Sequence, residues 1–414
     1  MEDRRRGVIP RRAWPRISAA VIAAYVAFAT ASGRAEPLNQ RIPNLFGGSL
    51  KTGLTLIAPA EPIPNPAKQL FGPLSADLAA VLSEAPIPSP GGSFHYVFDY
   101  EADVGTRVIE SLGSGFGERA LTLGAQKSYV AVSYTHIGFD SVEGQRLDRL
   151  TFTEPALSQA YLAQLPQPVR ISAQDDLLQT HLDLQLSMDQ FFILGAYGVT
   201  DSIDVSLALS LAHVHMKAAA EADIVGPPGA VFDAKQPGVC LETVPLRCAR
   251  DSFDDSAFGT GDVFLRGKWH FYDTTYADLA AAGVLTIPTG NADDFLGFHD
   301  PTFTPWLIAS KHLGRFEPHL NLGYAFRTHR DVSQAEWVAG SDFRAFWWLT
   351  LNADFLGFHD DKRDGVNDDV LQSAVGFKIN PIGNLVLAAN FQFPLNRDGL
   401  RADVIYTEQV EYTF

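Results

Sequence analysis

The chain has little cysteine, two residues in 414, and only three methionines. Past its N-terminus it has no apolar run near the ~18–20 residues of a membrane helix, so no helical span is expected. It has no Gly-x-Ser-x-Gly nucleophile elbow. Positive charge is also short: 32 Lys+Arg face 48 Asp+Glu, a net charge of −16. Such a surface repels nucleic acid and excludes it as a partner. Cys240 and Cys248 are expected to pair as a loop disulfide in an oxidising compartment. Lacking histidine at ligand spacing, they make a poor zinc site. No cofactor is called for, and no enzyme is expected. A hydrolase on an outer barrel wall needs serine and histidine together on that wall. The nearest outward histidine, His213, has Ser210 on the other face.

What is present is alternation. Hydrophobic residues make up 46% of the chain, spread at period 2 as strands require. The last fourteen residues set Ala402, Val404, Tyr406, Val410, Tyr412 and Phe414 on one face. Asp403, Thr407, Gln409, Glu411 and Thr413 lie on the other, with Glu408 and Ile405 breaking the pattern once each. A strand that ends on an apolar residue leaves an unpaired greasy edge. A closed membrane barrel removes that edge by zipping its last strand to its first. The aromatic Phe414 resembles the assembly signal of bacterial outer-membrane barrels, which makes the barrel-assembly machinery an expected partner beside the bilayer.

The N-terminus agrees. Six arginines by position 16, an apolar run over 17–28 and small residues at 29–31 and 33–35 read as a signal peptide over 1–35. The alternative is an N-terminal membrane anchor, for which the run is short. Removing 1–35 takes seven arginines, Glu2 and Asp3 and leaves a net charge of −21. Export with a barrel implies the outer membrane of a Gram-negative bacterium. Residues 36–90 are irregular and proline-rich, and are expected to form a plug or a periplasmic segment.

Residues 91–414 read as the barrel, and the fold class is all-β: an antiparallel transmembrane β-barrel of 12–14 strands. Twelve strands follow Lys127, and a possible hairpin at 92–109 would make fourteen. The strand over 177–199 is kept whole, so the wall should stand above a lipid band of ~25 Å. Connections alternate short and long, with the long ones at 141–176, 217–259, 289–301 and 359–367. Aromatics cluster at the short turns, among them Tyr197, Tyr272, Tyr276, Phe346 and Trp347, as a periplasmic girdle.

Several short motifs carry a resemblance. They are Phe116-Gly117-Glu118-Arg119-Ala120-Leu121-Thr122-Leu123-Gly124, Ser133-Tyr134 and Gly144-Gln145-Arg146-Leu147-Asp148. Gly198-Val199-Thr200-Asp201 before Asp204, and Gly261-Asp262-Val263 with Lys268, complete the set. In this order they resemble the outer-membrane barrel family associated with the phenol meta-degradation pathway. That family is distantly similar to fatty-acid and hydrocarbon uptake channels. The resemblance implies a barrel, and a role in transport.

The residues expected to face the lumen carry both charges: His181, Asp183, Asp204, Asp262, Arg266, Lys268, Glu317, His319 and Arg327. They would line the pathway, anchor a plug or merely hydrate the interior. The heptapeptide at 294–300 recurs at 354–360, giving His299/Asp300 and His359/Asp360; a rim motif is favoured over a metal or ligand gate. The acidic residues at 360–369 fit a solvated loop better than a Ca²⁺ loop, because Lys362 and Leu371 fall where ligands should be. The expected function is passive uptake of small hydrophobic or aromatic compounds through the outer membrane. The alternatives are a structural or adhesive barrel without transport, and a general porin.

Overall fold

The computed structural model describes residues 36–45, 92–99, 104–108, 111–155, 162–163, 167, 175–226, 248–327, 333–360 and 369–414. The elements are α1 (Leu38–Arg41), β1 (His95–Asp99), β2 (Val104–Val108), β3 (Ser128–Val142), β4 (Gln145–Arg146), β5 (Leu150–Pro155), β6 (Leu177–Thr200), β7 (Ile203–Val225) and β8 (Cys248–Asp273). Then come β9 (Asp278–Ile287), β10 (Thr302–Ser310), β11 (Phe316–Ala325), β12 (Gln334–Phe346), β13 (Leu349–Asp360), β14 (Asp369–Ile382), β15 (Leu385–Pro394) and β16 (Leu400–Thr413).

Strand β3 pairs with β16 on one edge and with β6 on the other, and every other neighbour from β6 to β16 is consecutive and antiparallel. The described strands therefore close a barrel of twelve, β3 and β6–β16. The last residue completes the seam: the Phe414 N–H donates to the Ser128 carbonyl at 2.7 Å. The 92–109 hairpin does not add two strands. β1 and β2 pair only with each other, and five residues each are too few to span, where ~9–11 are needed.

An apolar band surrounds the wall. Phe191, Val205, Leu265, Leu307, Leu322 and Leu351 all point outward and are exposed. The expected periplasmic girdle is there too, with Tyr276, Phe346 and Trp347 exposed at the short turns. This is the surface a bilayer covers. The wall is uneven in height: β6, β7 and β8 run 24, 23 and 26 residues, while β9, β10 and β11 run 10, 9 and 10. The long connection expected at 217–259 is thus about half strand, since β7 continues to Val225 and β8 begins at Cys248.

Above the band the outer and inner faces exchange character. His181, Asp183 and Gln185 point outward into water, while Leu182, Leu184, Leu186 and Met188 point inward and are buried. His181 and Asp183 are therefore not lumen residues. A projecting wall is solvated outside and packs like a soluble protein inside, so its polar face is the outer one. At that height Ile405 is no exception either. It joins Ile137, Leu186 and Met188 in the inner core. A bulge between Ala402 and Ile405 buries Ala402 and turns Asp403 outward, against the simple alternation. On the solvated outer flange, hydrogen bonds from Arg146 hold the Asp148 carboxyl below the ordinary carboxylate range.

Cys240 lies outside the described residues, as does the side chain of Cys248, and the expected disulfide with them. So do residues 1–35, 46–90 and the acidic stretch 361–368.

Candidate functional site: a plugged lumen and its cavity

The lumen is filled by the chain's own residues 92–96 and 111–126, ahead of the first wall strand. The segment at 115–124 has no helix and no strand. It runs across the barrel as irregular chain with bends at 115–117 and 120, and its backbone polar groups must be satisfied by the wall. The wall supplies them. The N–H groups of Leu112, Glu118 and Ala120 donate to Thr350 Oγ1 at 2.8 Å, Asn321 Oδ1 at 2.6 Å and Ser310 Oγ at 2.9 Å. Those of Leu123 and Ala125 donate to Asp204 Oδ2 at 2.9 Å and Asp201 Oδ1 at 3.1 Å. Lys268 Nζ donates to the Leu121 carbonyl at 2.7 Å. Each such buried group left unmatched would cost about 1–3 kcal/mol.

Glycine makes the fit possible. A Cβ at Gly115 would overlap Asn390, and one at Gly117 would overlap the His319 ring. Arg119 then ties the plug to itself and to the wall. It donates to the carbonyls of Ser111, Gly92 and Ser93 at 3.1–3.3 Å and pairs with Glu317 at 3.5 Å. Ser93 donates to Glu411, which also pairs with Lys378 at 2.7 Å.

The expected lumen residues thus fall into four groups. Asp204, Lys268, Glu317 and His319 hold the plug or the carboxylates around it. Arg266 pairs with Glu118 of the plug at 2.5 Å and borders a cavity. Arg327 borders the same cavity, its guanidinium 4.8 Å from the Phe298 ring centre. Asp262 holds a loop, accepting the N–H of Gly290 at 2.9 Å and of Phe298 at 2.8 Å. His181 and Asp183 stand outside.

That loop is one copy of the repeated heptapeptide, and it is not a rim motif. Phe295, Leu296 and Phe298 turn inward and are buried, and Asp294 accepts the Leu38 N–H at 3.0 Å. The second copy runs along β13, with Asp354 inside and His359 outside bonded to Asp369. The copies share sequence and not environment. Among the described residues no group of three or more His, Cys, Asp or Glu is placed to hold a metal.

Residues 36–45 cap the lumen from the extracellular side. Leu38, Ile42 and Leu45 pack with Phe295, Leu296 and the inner face of β6 and β7 in one apolar core. Arg41 pairs with Asp255 at 2.7 Å. Beside the plug, against the inner face of β6–β13 and Phe298, lies a partly open cavity of about 210 Å³. Phe116, Phe264, Phe298, Trp306, Val338 and Phe358 supply its apolar wall, and Arg266, Arg327 and Glu118 its charged edge.

Sequence reasoning missed Ser111, Ser310, Asn321, Asp342 and Asp354, all buried inside. Their only signal was a polar residue on the inward phase of a strand or beside the glycine-rich run. Three of the motifs that carried the family resemblance prove to be fittings of the plug and loop: 116–124 is plug, and Asp201, Asp204, Asp262 and Lys268 hold plug or loop; Ser133-Tyr134 lies in the wall and 144–148 on the outer flange.

No protein-family model matches the chain, and no curated protein does. Among solved structures it is similar to an outer membrane channel from Pseudomonas putida F1, at 14% identity over 71% of this chain and 98% of that one, with a TM-score of 0.44. It is also similar to the Ralstonia pickettii toluene transporter TbuX, at 10% identity over 70% and 90%, TM-score 0.35. A Pseudomonas aeruginosa FadL homologue follows at 10% identity over 70% and 90%, TM-score 0.32. These neighbours are outer-membrane channels, and they say nothing of a phenol pathway. The twelve-strand closure rests on the strand register described above.

Proposed function

We propose that the protein is an outer-membrane channel for passive uptake of small hydrophobic or aromatic compounds. The observation that carries this is the partly open cavity of about 210 Å³ beside the plug, with four phenylalanines and one tryptophan in its wall. An apolar cavity of ~150 Å³ is already enough to bind benzene. One aromatic ring with a small substituent fits; a long acyl chain held straight does not. The plug argues against a general porin, because the lumen holds protein where a porin holds water.

Transit on this reading is diffusion down a gradient, with no cofactor. A compound enters past residues 36–45, rests in the cavity, and leaves when the plug around Phe116 and Glu118 shifts. The signal peptide over 1–35, the bilayer and recognition of Phe414 by the assembly machinery belong to the same reading. The phenol-pathway resemblance suggests a phenolic compound as one candidate cargo.

The test is uptake of a labelled single-ring aromatic by cells that make the intact protein or a Val338→Trp variant. Filling the cavity should cut uptake to the level of cells without the protein. Uptake that is equal in both strains would sink the proposal. The structural or adhesive alternative draws on the tall polar outer wall of β6–β8. It would gain if uptake never exceeded the background and that wall alone were needed for cell contact.

A further inference from the structure

The plug is fastened to β11–β13 by a cluster whose hydrogen-bonding protons do not add up. Glu317 and Asp342 are directly opposite on β11 and β12, and both face inward. Both are almost wholly buried, as is Asp354 on β13. One hydroxyl serves the first two: Ser111 Oγ bonds Glu317 Oε2 and lies 3.3 Å from Asp342 Oδ2. A hydroxyl has one proton and can donate to one of them only. The other Asp342 oxygen, Oδ1, has no hydrogen-bond partner.

The charges do not balance either. Three carboxylates meet Arg119, 3.5 Å from Glu317, and His319, whose Nε2 is 2.7 Å from Asp354 Oδ1. Ser114 Oγ donates to the remaining Asp354 oxygen at 2.7 Å. Even with the imidazole charged, the site is one positive charge short. Arg344, one inward position below, is directed away to the Gly314 carbonyl. An uncompensated buried carboxylate is expensive, and the usual resolution is that it takes up a proton.

We propose that Asp342 binds a proton shared with Ser111 and Glu317, and that this proton latches the plug to the barrel wall. With it, Asp342 donates to Ser111 Oγ, Ser111 donates to Glu317, and the bridge is complete. Without it, two carboxylates face each other across β11 and β12, and Ser111 keeps one partner. The latched state is favoured while the proton is bound and is lost as pH rises through the point where it leaves. Phe116 and Glu118, the floor of the cavity, lie in the same stretch of plug, so unlatching loosens that floor. The inference concerns the plug and stands whichever compound uses the cavity.

The experiment is infrared spectroscopy of the full-length protein in lipid, with ion leak measured on the same liposomes. A protonated carboxylic acid has its own carbonyl stretch. The expected result is such a band near neutral pH that is absent from Asp342→Asn. Titrated from about pH 6 to about pH 9, the band should fade as the leak rises, with one midpoint and a slope of about tenfold per pH unit. Asp342→Asn, a fixed hydrogen-bond donor, should stay tight throughout. No band in the wild type, or a band that persists in Asp342→Asn, overturns the proposal. So does a leak with the same pH profile in both proteins. Should Asp342→Asn not fold, the wild-type titration decides alone: separate midpoints for band and leak overturn the latch.

Discussion

Single residues decide whether the lumen can hold its plug, and Gly340 shows how tightly. It sits on β12 between His319 and Asp354, and those side chains meet across the space where it has none. A Cβ there would overlap Asp354 Oδ1 and crowd His319 Nε2. Gly340→Ala should destabilise the barrel by about 1–3 kcal/mol, as overpacking does. The check is the urea midpoint of the refolded protein in detergent. An unchanged midpoint would mean that the two side chains move aside freely. At this scale the sequence was partly legible. Asp204, Asp262, Lys268 and Glu317 were recognisable as inward charges because they alternate with apolar neighbours in the band. His181 and Asp183 alternate equally well and point the other way. Period 2 says which residues share a face, and it does not say which face meets water once the wall leaves the bilayer.

At the scale of elements, strands were the easy part and irregular chain the hard part. The long strand kept whole from the sequence is β6, and the tight turns fall between the strands as expected. The extensions of β7 and β8 were read as loop because charged outward residues such as Lys217 and Asp254 look like loop composition. The plug was misplaced for a related reason. Its irregular backbone takes its hydrogen bonds from wall side chains scattered over β7 to β13, and no local pattern reports that. The cap at 36–45 is a short, separate piece of the interior. Arg41–Asp255, Leu38–Asp294 and Asn39–Asp293 fasten it, and the first and last of these are partly solvated. Arg41→Ala should therefore speed hydrogen exchange in 36–45 severalfold while leaving the plug amides of 118–123 protected. Equal acceleration in both segments would show that cap and plug move as one.

The whole molecule is a closed barrel with two environments. Inside the apolar band, the β11–β16 side of the lumen is polar and grips a plug. Above it, the interior is apolar and packs under a short cap. The cavity lies where the two meet, which is why aromatic side chains and arginines share its wall. On the proposed reading a small apolar guest would rest there. Leu186→Ala, in the upper core, should cost about 2–5 kcal/mol by opening a void. It should leave the plug's hydrogen bonds to β10–β13 intact, so a variant that unfolds earlier and yet stays closed to ions would confirm that the halves are separate. A thermal melt with a parallel leak assay reads both.

The central claim is that the chain's own residues close this lumen to water while leaving room for one small hydrophobic guest. The most direct test is single-channel current in a planar bilayer, from the intact protein and from a variant lacking residues 92–126. The account predicts no steady current from the intact protein and a large, steady current from the variant. A large, steady current from the intact protein would contradict it.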